Sequence, residues 1–129
     1  MTRYMGETWN TETVGVVRII IGLGLIGLLL LADGPGFRSR RALDEHYAKH
    51  GREFGNISED EYLRRAQALR DTPPGGPVLE ADKPGGVVTK FDRRTGYFVA
   101  YNADRTIRTF FIPNDGERYF RRQAKRPDD

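Results

Sequence analysis

The only two histidines of the chain, His46 and His50, are four positions apart and therefore share one face of a predicted helix. Histidine is the side chain best suited to proton transfer near neutral pH. RNA cleavage needs such groups, because a base removes the ribose 2′-hydroxyl proton and an acid protonates the departing 5′-oxygen. His50 lies in the last helical turn, where the helix dipole favours an imidazolium, so it fits the acid. His46 is then the candidate base.

The same reaction needs cationic groups that stabilise the charge growing on the phosphate. Lys90 and Arg108 lie on predicted strands, and Arg94 lies in a predicted hairpin loop. Arg108 alternates with its neighbours on a strand that we predict to be an inner one. Thr109 and Tyr97 add hydroxyl groups. This route requires no metal ion and no cofactor.

Two other interpretations of the histidines remain open. Histidines on an apolar helical stripe are often partly buried and hydrogen-bonded without any chemical role. The second interpretation is a metal site, because the H-x-x-x-H spacing supplies two ligands. However, the metalloprotease version of that motif has Glu after the first histidine. Here Tyr47 follows His46, and Lys49 would repel a cation.

Composition limits the function classes. The 129 residues suffice for one domain, and the absence of cysteine excludes disulfides and cysteine nucleophiles. A net charge of +3 and a pI near 9.4 favour a polyanionic partner such as RNA. No Walker or serine-hydrolase motif occurs. The basic residues of the C-terminal tail are more typical of a solvated face: Arg118, Arg121, Arg122, Lys125 and Arg126.

The N-terminal part predicts a membrane-inserting helix. Residues 1–13 are polar and predicted to be disordered, whereas Val14–Ala32 carries a single charge and would span about 28 Å as a helix. Basic residues follow this segment and acidic ones precede it. This pattern predicts a single-pass anchor with the C-terminal domain in the bacterial cytoplasm. Secretion after signal-peptide cleavage is the alternative. Residues 33–37 are predicted as a linker.

The domain over residues 38–129 is predicted to be α+β, with two helices packed on one face of a small antiparallel meander. The helices are predicted over Ser39–His50, ended by Gly51, and over Glu59–Arg70, begun by a capping box. A last short helix is predicted within the tail from Asn114 onward. The four strands are predicted over Val78–Ala81, Val87–Phe91, Tyr97–Tyr101 and Thr106–Ile112.

Two stretches of this domain resemble a known family. Residues 44–55 read DEHYAKHGREFG and resemble the D-x-H-(F/Y)-x-K-H-G-x-E-F-G opening of C-terminal toxin domains from bacterial polymorphic toxins and phage proteins. Residues 104–113 read DRTIRTFFIP and resemble the later G-T-I-R-T-(F/Y)-F-x-P motif of those domains. The resemblance covers about residues 43–120. Such domains are similar to the barnase–EndoU–colicin–RelE class of metal-independent ribonucleases.

The resemblance implies an endoribonuclease toxin that cleaves RNA, with tRNA as the expected target, and a cognate immunity protein as partner. It implies five catalytic residues: His46, His50, Lys90, Arg108 and Thr109. The residues expected to bind RNA are Lys49, Arg94, Tyr97, Arg105 and Tyr119. Family members usually end a long secreted chain, whereas this chain is short and has its own hydrophobic segment. The alternatives are a membrane-tethered, non-catalytic interaction module and toxicity from the hydrophobic segment alone.

Overall fold

A computed structural model describes residues 34–126 of the chain. The predicted hydrophobic helix over Val14–Ala32 and the polar residues before it lie outside the described residues. Within residues 34–126, no helix is both long and apolar enough to cross a bilayer.

Two helices open the domain close to where the sequence predicts them. Helix α1 spans Arg40–His50, and the Ser39 hydroxyl caps it by accepting a hydrogen bond from a first-turn backbone N–H. Helix α2 spans Glu59–Asp71, and the Ser58 hydroxyl accepts a hydrogen bond from the N–H of Glu61. This confirms the predicted N-cap of α2. The Glu61 carboxylate does not complete the capping box, because it pairs with two arginines one turn further along.

Gly51 does not have the role that its position predicts. It keeps right-handed helical angles and begins a 3-10 helix over Gly51–Phe54, so it is not a left-handed terminator. A Cβ at this position would lie 2.7 Å from the Tyr47 ring. Glycine is therefore required because the tyrosine ring packs on its backbone. The glycine with positive φ that ends this helical segment is Gly55, which follows the 3-10 helix and has φ of 89°.

Four strands form one antiparallel sheet in chain order: β1 (Val78–Asp82), β2 (Val88–Asp92), β3 (Phe98–Tyr101) and β4 (Ile107–Phe111). The α+β class and the meander are confirmed. The prediction that Arg108 lies on an inner strand is wrong, since β4 is an edge strand. In a meander the last strand has a neighbour on one side only, unless another segment pairs with its free edge.

The sheet is covered on both faces. Helices α1 and α2 pack on the face that buries Val99 and Phe110, together with Tyr62 of α2. Helix α3, Glu117–Ala124, packs Phe120 on the opposite face against Phe91 and Phe98 of the sheet. Since every residue of β3 is buried, both faces need a cover. The expectation of helices on one face therefore holds for α1 and α2 but not for α3.

The residues just before α1 are bound to the domain, although the sequence predicts a linker there. Buried Arg70 at the end of α2 donates hydrogen bonds to the carbonyl oxygens of Pro35 and Arg105. The N–H of Ile107 donates to the carbonyl of Gly36 at 2.9 Å, so Phe37 forms a parallel bridge with the free edge of β4. We call Pro35–Phe37 the N-terminal strap.

Candidate active site

Both histidines lie along the free edge of β4. Helix α1 packs against β4, and four rings follow one another there in a stack. Phe37 of the strap lies 4.9 Å from His46, His46 lies 6.3 Å from His50, and His50 lies 5.1 Å from Phe111, all measured between ring centroids. Neighbouring rings are inclined by no more than 27°. The strap, α1 and β4 thus hold the two imidazoles side by side.

A carboxylate orients the ring of His50. Nδ1 of His50 lies 2.8 Å from Oε2 of Glu53 in the 3-10 helix. The other oxygen of Glu53 accepts a hydrogen bond from the backbone N–H of Ile112 at 2.9 Å. The sheet therefore positions Glu53, and Glu53 positions the imidazole. A proton shared between Nδ1 and the carboxylate leaves Nε2 as the nitrogen that exchanges protons with a substrate.

His46 has a different environment from His50. Its Nδ1 is buried and has no hydrogen-bond partner within the described part of the chain. Burial lowers the pKa of His46 below its ordinary value, and the nearby positive charges of His50 and Lys49 lower this pKa further. The lowered pKa favours the uncharged form of His46 at neutral pH. An uncharged imidazole can accept a proton, as a general base must.

A β-bulge in β4 presents Arg108 and Thr109. Between the pairs Tyr101–Ile107 and Ala100–Thr109 the register shifts by one residue, and Arg108 is the extra one. Bulges of this kind redirect a side chain. Arg108 is exposed, and its guanidinium donates a hydrogen bond to Oδ1 of Asn102 at 3.0 Å.

Arg108, Thr109 and His46 line one cleft of about 430 Å³, which we call the α1 cleft. Phe37 and Arg38 also line it. Its polar lining consists of Arg38 and Arg108, the His46 imidazole, the hydroxyls of Thr106 and Thr109, the Asn102 amide and the Glu45 carboxylate. The two arginines outnumber the single carboxylate. This combination can bind a phosphate and remove a proton beside it.

Lys90 is not part of this cluster. Its ammonium group is buried and donates hydrogen bonds of 2.6 Å to the carbonyl oxygens of Arg70 and Thr72 at the end of α2. Glu80 on the neighbouring strand lies 3.5 Å away. Burial lowers the pKa of Lys90, and the Glu80 carboxylate opposes that shift. Lys90 therefore caps the C-terminus of α2 and does not face the histidines.

The residues expected to bind RNA divide between two regions. Arg94 is exposed in the β2–β3 hairpin near Asp92, away from the α1 cleft. Tyr97 packs among core rings, and its hydroxyl accepts a hydrogen bond from Arg65 at 3.0 Å. Arg105 pairs with Asp71 and stabilises the β3–β4 hairpin.

Lys49 and Tyr119 lie nearer the histidines. Lys49 is exposed on α1 and acts on His46 through its charge. Tyr119 of α3 lines a separate cleft, which also has Arg108 and Thr109 in its wall. The structure thus brings together five of the predicted residues around β4: His46, His50, Arg108, Thr109 and Tyr119.

Sequence reasoning missed four side chains of this region: Phe37, Glu53, Asn102 and Phe111. Glu53 follows His50 at a spacing of three, which indicates a possible pair once the chain continues as a helical turn. Phe37 and Phe111 contact the histidines through the strand pairing of β4, and no local pattern shows such pairing. Asn102 reaches Arg108 only across the hairpin.

Within residues 34–126 no group of three or more His, Cys, Asp or Glu side chains is arranged to hold a metal ion. Comparison with models of protein families gives no match, and comparison with curated proteins gives no significant match.

Proposed function

We propose that the chain is a metal-independent endoribonuclease whose active site is the α1 cleft with the adjoining ring of His50. The observation that carries this proposal is two imidazoles in unlike environments, 6.3 Å apart, of which His46 shares the α1 cleft with Arg108 and Thr109. One imidazole is partly buried and has a lowered pKa, and the other is held by a carboxylate. Pairs of titratable groups with different environments are typical of acid–base catalysis.

The proposed reaction assigns one proton transfer to each histidine. His46 accepts the proton of the ribose 2′-hydroxyl, and the 2′-oxygen attacks the neighbouring phosphorus. The bond between phosphorus and the 5′-oxygen breaks, and Nε2 of His50 donates a proton to that oxygen. The products are a 2′,3′-cyclic phosphate and a 5′-hydroxyl end. Arg108 stabilises the charge that develops on the phosphate, and Thr109 donates a hydrogen bond to it.

The resemblance of residues 44–55 and 104–113 to toxin domains supports a wider proposal. According to this wider proposal, the protein is a toxin that acts on RNA, with tRNA as the expected target. A cognate immunity protein binds its basic surface. The segment Val14–Ala32 anchors the chain in the membrane with the domain in the cytoplasm. If the chain is instead exported with cleavage of that segment, N-terminal sequencing of the mature protein will find a start after residue 32.

The test is digestion of tRNA by the full chain in neutral detergent with excess EDTA. We expect cleavage products with cyclic phosphate ends. His46→Ala and His50→Ala should each lower the rate by about 10²–10⁴-fold, as expected for loss of a general acid or base. Arg41→Ala, an exposed change on the same helix, is the matched control and should leave the rate unchanged.

Intact RNA across several RNA substrates and pH values would contradict the proposal and favour a non-catalytic interaction module. Cleavage that survives both histidine substitutions would also contradict it. Toxicity of residues 1–36 expressed alone would instead assign the toxic effect to the hydrophobic segment.

A further inference from the structure

A second cleft lies on the other side of β4, between the sheet and α3. We call it the α3 cleft. Its volume is about 330 Å³, at the lower end of the range of small-molecule pockets, roughly 300–1,000 Å³. The side chains that matter here are three cations, two hydroxyls and one ring: Lys83, Arg108, Arg126, Thr89, Thr109 and Tyr119.

The lining of the α3 cleft carries positive charge within residues 34–126. None of its lining residues is acidic. Neither Lys83 nor Arg126 forms an ion pair with any described residue. Other cations close by are neutralised, because Arg93 and Arg121 share Glu117, and Arg122 pairs with Asp115. Cations that line a cleft with no acidic side chain among its described residues attract an anion.

The ring of Tyr119 forms a rigid wall of this cleft. It contacts the rings of Phe98 and Phe111 edge-on, with centroid distances of 5.0 and 5.3 Å. The Arg122 guanidinium lies 5.9 Å from the ring centroid. Tyr119 is only partly buried, although Phe120 beside it belongs to the core. A fixed, accessible aromatic ring beside cations is the arrangement that binds nucleobases and phosphates of single-stranded RNA.

The two clefts share residues. Arg108 and Thr109 line both the α1 cleft with His46 and the α3 cleft with Tyr119. The bulge makes this possible, because it places an additional residue at the point where the edge strand separates the clefts. A chain of nucleotides with one phosphate beside His46 can therefore continue over the edge of β4.

We propose that the α3 cleft binds the nucleotide adjoining the cleaved bond, with its phosphate at Lys83 and Arg126 and its base on Tyr119. This inference rests on the proposed ribonuclease function. It adds a substrate-binding subsite and predicts a lower KM for single-stranded RNA longer than a dinucleotide than for a dinucleotide. A duplex would not present an unstacked base to Tyr119.

The binding test uses a fluorescent RNA tetranucleotide with 2′-O-methyl riboses, which cannot be cleaved, and the full chain in neutral detergent. Tyr119→Leu should weaken binding about tenfold. Lys83→Ala and Arg126→Ala should each lower the slope of log affinity against log salt by about 0.7, the value per phosphate contact on single strands. Arg118→Ala and Lys125→Ala are the control variants and should bind like the unmodified chain.

A kinetic test distinguishes this subsite from the reaction centre. A dinucleotide has only the phosphate to be cleaved, so Lys83→Ala should raise the KM for a tetranucleotide much more than the KM for a dinucleotide. His46→Ala should abolish cleavage of both but retain tetranucleotide binding. Thermal unfolding of Tyr119→Leu shows whether that variant is folded, and the two cation variants test the proposal independently of it.

The outcomes separate the two proposals. Equal affinity of the cation variants and the controls would overturn the subsite, as would RNA cleavage without detectable tetranucleotide binding. If binding depends on Lys83 and Arg126 in a chain that cleaves no RNA, the α3 cleft is still supported as a binding site for an anionic nucleic-acid strand. The same result would contradict the proposed ribonuclease activity.

Discussion

Burial of the His46 ring links its protonation to folding. The pKa of His46 is below its ordinary value of 6.5 in the folded chain, so the unfolded chain takes up a proton more readily. The free energy of unfolding should therefore fall as the pH drops from 7 through the ordinary pKa toward the lowered one. His46→Gln removes the titrating group.

This pH effect is measurable by urea denaturation of the full chain at pH 7 and pH 5. We expect the fall in unfolding free energy between the two pH values to be smaller in His46→Gln than in the unmodified chain. An equal fall in both would show that other groups cause it.

The Glu53 carboxylate offers a second test at the scale of residues. Glu53→Gln keeps an oxygen for the N–H of Ile112 but presents an amide to His50. We expect at least about tenfold slower RNA cleavage, because the imidazole loses the partner that fixes its tautomer. The same substitution in a His50→Ala chain should have little further effect, since the two groups act as a unit. Additive losses would argue that Glu53 acts only on stability.

The helices and strands were largely predictable from sequence because local signals define them. Ser58 followed by Glu61 begins α2, and alternating β-branched and aromatic residues define each end of the four strands to within one residue. Lys90 shows the limit of such signals. The sequence predicts that Lys90 lies on β2. The direction of its side chain, toward the end of α2, depends on how that helix crosses the sheet.

Lys90 is therefore expected to affect stability and not chemistry. Lys90→Met should lower the free energy of unfolding by ~2–3 kcal/mol, because two charge-assisted hydrogen bonds to carbonyl oxygens at the end of α2 are lost. Lys49→Met, an exposed change on α1, is the control for stability. Below its unfolding temperature the Lys90 variant should retain its kcat. A folded Lys90→Met variant without activity would contradict this expectation and indicate that Lys90 takes part in the reaction.

The candidate site was only partly predictable from the sequence, because contacts between distant parts of the chain position several of its side chains. Spacing predicts that the two histidines share a helix face, and alternation predicts strands around Arg108. The bulge, the edge position of β4 and the ring of Phe37 depend on contacts between distant parts of the sequence. These contacts decide that His46 meets Arg108 and not Lys90.

At the scale of the whole molecule, the N-terminal strap is part of the candidate site. Phe37→Ala should remove the ring that covers His46 and let water reach the imidazole. We expect the pKa of His46 to return toward its ordinary value, so that the acidic limb of the pH–rate profile moves to higher pH. Phe37→Leu retains most of the cover and should shift the limb less. An unchanged limb in Phe37→Ala would show that the strap does not control His46.

The strap is anchored at two points that differ in kind. Arg70 binds the carbonyl of Pro35 from the end of a helix, and the edge of the sheet binds the carbonyl of Gly36. A pulling force applied to the chain ahead of Pro35 would reach these anchors first. Once they yield, Phe37 peels from β4 and the histidine stack loses its outermost ring. Tension on the chain before Pro35 would therefore act on His46 in the same direction as Phe37→Ala, by removing the ring that covers the imidazole.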